Sequence, residues 1–173
     1  TSSDIHQMKM RGIGSNNELS FIDMSYCYGV TQHRMIQLAR EYHNPLEMPA
    51  NAALMTRCLR EIPGDKVPFK VPSMLPADIF KMFNSNGIEK PYTAAVMLGV
   101  GGSNYKNMMM NERSNSYTER LGFYVAEGCK KDPKFMRKYL ALVNEEAISR
   151  GMKDKGIFET ETWPINLPQK KSG

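Results

Sequence analysis

Residues 116–151, SYTERLGFYVAEGCKKDPKFMRKYLALVNEEAISRG, decide the fold class. Ser116 and Glu119 stand three apart ahead of an apolar periodicity. That is the form of a capping box, in which hydroxyl and carboxylate satisfy reciprocal backbone donors. Tyr117, Leu121, Tyr124 and Val125 then recur on one face, and Gly128 reads as the end of that helix. Asp132 is a good N-cap and Pro133 suits the first helical position. Phe135, Met136, Tyr139, Leu142, Val143 and Ala147 supply the next apolar stripe, and Gly151 its stop. Two successive amphipathic helices with well-formed ends predict an all-α protein.

The upstream chain extends this pattern. The run from Leu19 to Tyr28 reads as a short helix ending at Gly29. Thr31 caps a second, with Met35, Leu38, Ala39 and Tyr42 on one face. Pro49 opens a third, in which Ala52, Met55, Leu59 and Ile62 recur before Pro63-Gly64. Pro68 and Pro72, on the same side of the alternation between residues 65 and 74, forbid a central strand and predict an extended connector. Pro76 to Phe83 reads as a short helix closed by Gly87. The apolar stretch from Pro91 to Val100 reads as a buried helix, with a strand as the alternative. The sum is a compact bundle of about six helices with extended N- and C-terminal arms. Residues 1–17 form the first arm, 18–155 the core and 156–173 the second arm.

Composition narrows the class. At 173 residues the chain has the length of one domain with a sizeable core. Fourteen methionines suit irregular packing and subunit contacts. Twenty-three Lys and Arg against eighteen Asp and Glu leave a net charge of +5, a modest bias toward anionic partners. Cys27, Cys58 and Cys129 are odd in number, far apart and in no CxxC spacing. They predict neither a disulfide framework nor a structural zinc site. No apolar run approaches the roughly 18 residues of a membrane span. A location inside a cell or within a virion follows, rather than a disulfide-bonded secreted state.

Three segments carry candidate chemistry. In residues 21–40, Ser25 and Gly29 stand where a helix-turn-helix needs a small residue and a turn glycine. Val30, Met35 and Leu38 stand where its second helix packs on its first. Over about twenty residues this stretch resembles the helix-turn-helix motif of bacterial regulators, departing from it in the bulky Phe21, Tyr26 and Tyr28. The resemblance implies that Gln32, His33 and Arg34 lead a recognition helix, where Gln and Arg are able to read base edges.

The second segment holds Lys130, Lys131, Lys134, Arg137 and Lys138. If the helical path extends back to Lys130, four of these share one face. They would crowd a helix N-terminus, where the macrodipole disfavours each cation by about 0.3–1 kcal/mol. A phosphate would gain from both the side chains and the helix end. Arg113 and Arg120 extend the patch, with Tyr105, Tyr117 and Tyr124 as candidate stacking partners for unpaired bases. The bland alternative is a solvated basic face beside Asp132, and core roles for the tyrosines.

The third segment, Leu98-Gly-Val-Gly-Gly-Ser103, leads an apolar run into glycines as phosphate-binding loops do. Asn104 stands where the last Rossmann Gly belongs, and the Lys-Ser/Thr pair of a P-loop is absent. A helix end followed by a loop accounts for it better. His6, His33 and His43 are scattered, and Glu145 with Glu146 point to different helix faces, so no catalytic group, metal site or cofactor is expected. The expected function is a non-enzymatic nucleic-acid packaging protein of nucleocapsid or coat type. It would favour RNA over DNA, bind the phosphate backbone and self-associate through its arms, of which the second carries the sole Trp, Trp163. The alternative is a helix-turn-helix DNA-binding regulator.

Overall fold

The computed structural model describes residues 21–40, 49–60, 74–112, 116–152 and 155–164. Their regular secondary structure is helical, with no strand among the described residues. In chain order the helices are α1 (Phe21–Tyr28), α2 (Gln32–Arg40), α3 (Ala50–Arg60), α4 (Pro76–Ser85) and α5 (Pro91–Met97). A 3-10 turn (Gly102–Asn104) leads into α6 (Tyr105–Met110), followed by α7 (Ser116–Lys131), α8 (Phe135–Ser149) and α9 (Ile157–Thr160). The all-α class is correct. The expected number of about six is low because α6 and α9, of six and four residues, are too short to show a helical period.

Four of these helices end in one motif. After α1, Gly29 N–H donates to Tyr26 O at 3.3 Å and Val30 N–H to Ser25 O at 3.0 Å. The same pair of bonds recurs at Gly87 and Ile88, at Gly99 and Val100, and at Gly151 and Met152. Each of the four glycines has a positive φ, between 67° and 98°, which costs glycine little and other residues more. Each is followed by an apolar residue that packs against the core, the contact that completes a Schellman cap.

Helix α7 is the centre of the bundle, packed by α3, α8, α4 and α1. Leu121, Tyr124 and Val125 are buried, as are Met24 and Tyr28 of α1, Leu54 and Met55 of α3, and Ile79 of α4. Two glycines of α7 admit neighbours that a methyl group would displace. A Cβ at Gly122 would lie 2.6 Å from Ile79, and one at Gly128 would lie 2.5 Å from the ring of Phe135. Gly128 is therefore not the stop its identity suggested. The helix runs three residues further, and the glycine serves the close approach of α8.

Three buried phenols and the buried Glu146 carboxylate of this core are paired, as the low dielectric requires. Tyr28 Oη meets Thr56 Oγ1, Tyr124 Oη donates to Cys27 O at 2.8 Å, and Tyr139 Oη donates to Met97 O. Burial pushes the phenols of Tyr124 and Tyr139 well above the ordinary range, with Cys27 and Cys58 respectively adding to it. Glu146, 2% exposed, lies between two arginines. Its Oε2 accepts from Arg57 Nε at 2.7 Å and its Oε1 from Arg150 Nε at 2.9 Å.

The C-terminal segment departs from expectation. Ile157 is fully buried, and Phe158 and Trp163 pack against the core. Trp163 Nε1 donates to Val96 O at 3.0 Å, Gly102 N to Glu161 O at 3.0 Å, and Lys90 pairs with Glu161. Residues 157–163 are thus a strap across α5 and the glycine loop rather than an arm. Residues 1–17 and 165–173 of the expected arms, and the 65–73 connector, lie outside the described residues.

Candidate nucleic-acid interface

The five clustered cations occupy the joint between α7 and α8, and all five are exposed. Their helical context differs from the expectation. Lys130 and Lys131 are the last residues of α7, Lys134 is the N-cap of α8, and Arg137 and Lys138 lie in its first turns. The chain breaks helical form between Asp132 and Lys134, so no continuous face runs from 130 to 138. At the end of α7 the macrodipole is negative and favours Lys130 and Lys131. The electrostatic misplacement expected of all five applies only to Lys134, Arg137 and Lys138.

Two of the five are held by carboxylates of the same joint. Lys130 Nζ lies 3.2 Å from Glu127 Oε1 within one helical turn. Lys138 Nζ lies 2.7 Å from Asp132 Oδ2, while Asp132 Oδ1 accepts the Lys134 amide at 2.9 Å. Asp132 and Pro133 thus lie in the turn before α8 rather than at its N-cap and first position as expected, and Asp132 binds the amide of the N-cap residue, Lys134. The Lys138 ammonium, then the Lys134 amide, hold the Asp132 carboxyl below the usual range. Burial, with a smaller push from Asp132, raises the thiol of the half-buried Cys129 nearby. The side chains of Lys131, Lys134 and Arg137 enter no ion pair among the described residues.

The outlying members do not join them. Arg113 lies outside the described residues. Arg120 turns to the α1–α2 corner, where its Nη1 donates to Tyr26 O at 3.1 Å and its side chain covers Gly29. Of the stacking candidates, Tyr124 is 1% exposed and unreachable by a base. Tyr117 accepts from Arg34 Nε at 3.3 Å, and Tyr105 packs edge-on against Phe80 with ring centroids 4.9 Å apart. Sequence reasoning missed Tyr92, which is 36% exposed and lies against Tyr105, because a lone Tyr after Pro91 carries no periodic signal.

The α1–α2 pair is a helix, a three-residue turn and a second helix, with Met35 and Leu38 buried against α1. Thr31 Oγ1 caps α2 by accepting the Arg34 amide at 3.2 Å. Gln32 and His33 are exposed on its first turn. Arg34 instead leans back, reaching Tyr117 and also Gln37 Oε1 at 3.5 Å.

The glycine loop has little left for a phosphate. The amides of Gly99, Val100 and Asn104 close local turns, and that of Gly102 is taken by Glu161. A Cβ at Gly99 would fall 2.3 Å from the Asn51 amide nitrogen, so this glycine admits the start of α3 rather than a ligand. Among the described residues no group of His, Cys, Asp or Glu is placed to hold a metal ion, and no helix is long and apolar enough to cross a membrane. Cys27, Cys58 and Cys129 are free thiols. No family model, curated protein or solved structure matches the chain.

Proposed function

We propose that this chain binds the sugar–phosphate backbone of nucleic acid, RNA in preference to DNA, as a packaging protein of nucleocapsid or coat type. The observation that carries the reading is the α7–α8 joint, which presents five exposed cations in nine positions against two carboxylates. Lys131, Lys134 and Arg137 form its available core. A cluster of this kind contacts phosphates without reading bases, so binding would be weakly sequence-dependent and strongly salt-dependent. Self-association through the chain ends belongs to the same reading; of those ends, residues 156–164 are described and the remainder lie outside the described residues.

The test is the affinity for a single-stranded oligouridylate as a function of salt. The triple variant K131A/K134A/R137A should bind more weakly and flatten the log–log salt slope by about 2, at ~0.7 per phosphate lost. A slope equal to that of the parent chain overturns the phosphate role. The absorbance ratio at 260 and 280 nm, with the molar mass of purified material, tests whether nucleic acid and multimers travel with the chain.

A second reading, duplex recognition by α2, draws on the exposed Gln32 and His33 at the head of a helix that follows a tight turn. It predicts a preferred duplex sequence bound at least about a thousandfold better than others.

A further inference from the structure

We infer that Asp132 is a built-in counter-anion that withholds Lys138 from the nucleic acid, so that the α7–α8 joint engages a polyanion with one cation fewer than it displays. The inference rests on the proposed reading of that joint and concerns how its strength is set.

Two carboxylates neutralise cations there, and they are held differently. Glu127 meets Lys130 at 3.2 Å from the same helix and makes no second hydrogen bond among the described residues. Such an exposed pair is worth little and breaks easily, because both side chains regain rotamer freedom. Asp132 is anchored. One of its oxygens accepts the Lys134 amide at 2.9 Å, which fixes the carboxylate at the turn, and the other receives Lys138 at 2.7 Å. A pre-placed acceptor spares part of the ordering cost that weakens ordinary surface pairs. A phosphate approaching Lys138 must therefore displace a partner that is already in position, whereas one approaching Lys130 competes with a loose one.

Net charge alone does not make this distinction. Removing either carboxylate adds one unit of positive charge to the same joint, so a simple charge effect predicts equal responses from the two. Sequestration predicts unequal ones.

The experiment compares D132N and E127Q in oligouridylate binding across a salt series, with the full chain. Asn retains an oxygen for the Lys134 amide, so the turn before α8 and the fold are kept, which a thermal melt verifies. D132N should raise affinity about fivefold at low salt, the upper end for an exposed pair, and steepen the slope by ~0.7 as Lys138 joins the contact. E127Q should change affinity less than half as much, with the slope as before. In the double variant D132N/K138A the slope should return to the parent value. Equal responses to D132N and E127Q, or a D132N slope equal to the parent's, overturn the inference. The outcome is separable from that of the parent reading, which stands or falls on K131A/K134A/R137A.

Discussion

Arg57 Nε of α3 donates to Glu146 Oε2 of α8 at 2.7 Å, across 89 positions of sequence. Arg150 Nε donates to the other oxygen of the same carboxylate at 2.9 Å, and both Glu146 and Arg150 are buried. Removing one partner from such a set leaves charge uncompensated in a low dielectric. Glu146→Ala should therefore cost about 3–5 kcal/mol in chemical denaturation. A loss below about 1 kcal/mol would show that the two guanidiniums find water instead.

Gly99 and Gly87 end helices in the same backbone conformation, but only Gly99 faces an obstacle. A Cβ at Gly99 would lie 2.3 Å from Asn51 N, whereas one at Gly87 meets nothing within 4 Å. Gly87→Ala should cost roughly 1–2 kcal/mol, the price of the left-handed conformation alone. Gly99→Ala should cost distinctly more, since backbone of α3 would have to move. Equal unfolding midpoints for the two variants would contradict the close approach.

The strap at 157–163 should behave as core. Ile157 is fully buried, so Ile157→Ala should lose about 2–5 kcal/mol. Trp163→Phe, which removes the donor to Val96 O, should lose roughly 1 kcal/mol. A chain truncated before Ile157 that unfolds at the same denaturant concentration as the intact protein would show that this segment contributes nothing to the fold.

Asp132 gives the joint an acid dependence of known sign. Its carboxyl is lowered in the folded state, by Lys138 first and the Lys134 amide second. Its contribution to stability is thus complete above the ordinary carboxylate pKa of about 3.9 and is lost as pH falls through the lower folded value. D132N should lose less stability than the parent chain between neutral pH and that acid range. Melts at several pH values that keep a constant difference between the two proteins would remove the linkage.

Cys129 should be a slow thiol. Burial and Asp132 both raise it, so at pH 8 a smaller thiolate fraction is present than in a free cysteine. Alkylation should proceed more slowly than for a model thiol, yet at Cys129 before the buried Cys27 and Cys58. Labelling of either buried cysteine ahead of Cys129 in the native protein would contradict this order.

The helices were legible because their signals are local. Thr31 caps its helix as its residue type foretells, accepting an amide at 3.2 Å, whereas Asp132 accepts one at 2.9 Å in the turn ahead of α8, whose N-cap is Lys134. Gly29 and Gly151 end helices with an apolar residue after each. That same Gly–apolar pairing at Gly99-Val100 was a readable helix stop, although the further glycines gave it the look of a phosphate loop. Gly128 misled for a different reason. Its function is to admit the ring of Phe135, and nothing in its neighbours on α7 announces a partner from the next helix. The extension of α7 to Lys131 followed, and with it the changed setting of Lys130 and Lys131.

The sequence by itself determined the all-α class and most helix ends, because caps, stops and apolar periodicity act within a few residues of backbone. Tertiary structure alone decided which polar groups are available to a partner. Arg120 is spent on Tyr26, Arg34 on Tyr117, and Trp163 on Val96, while Lys131, Lys134 and Arg137 are left facing solvent. The physical reason is distance along the chain. A charge or donor is claimed by whichever complementary group the packing brings within about 3 Å, and that group stands up to 97 positions away, as Cys27 does from Tyr124.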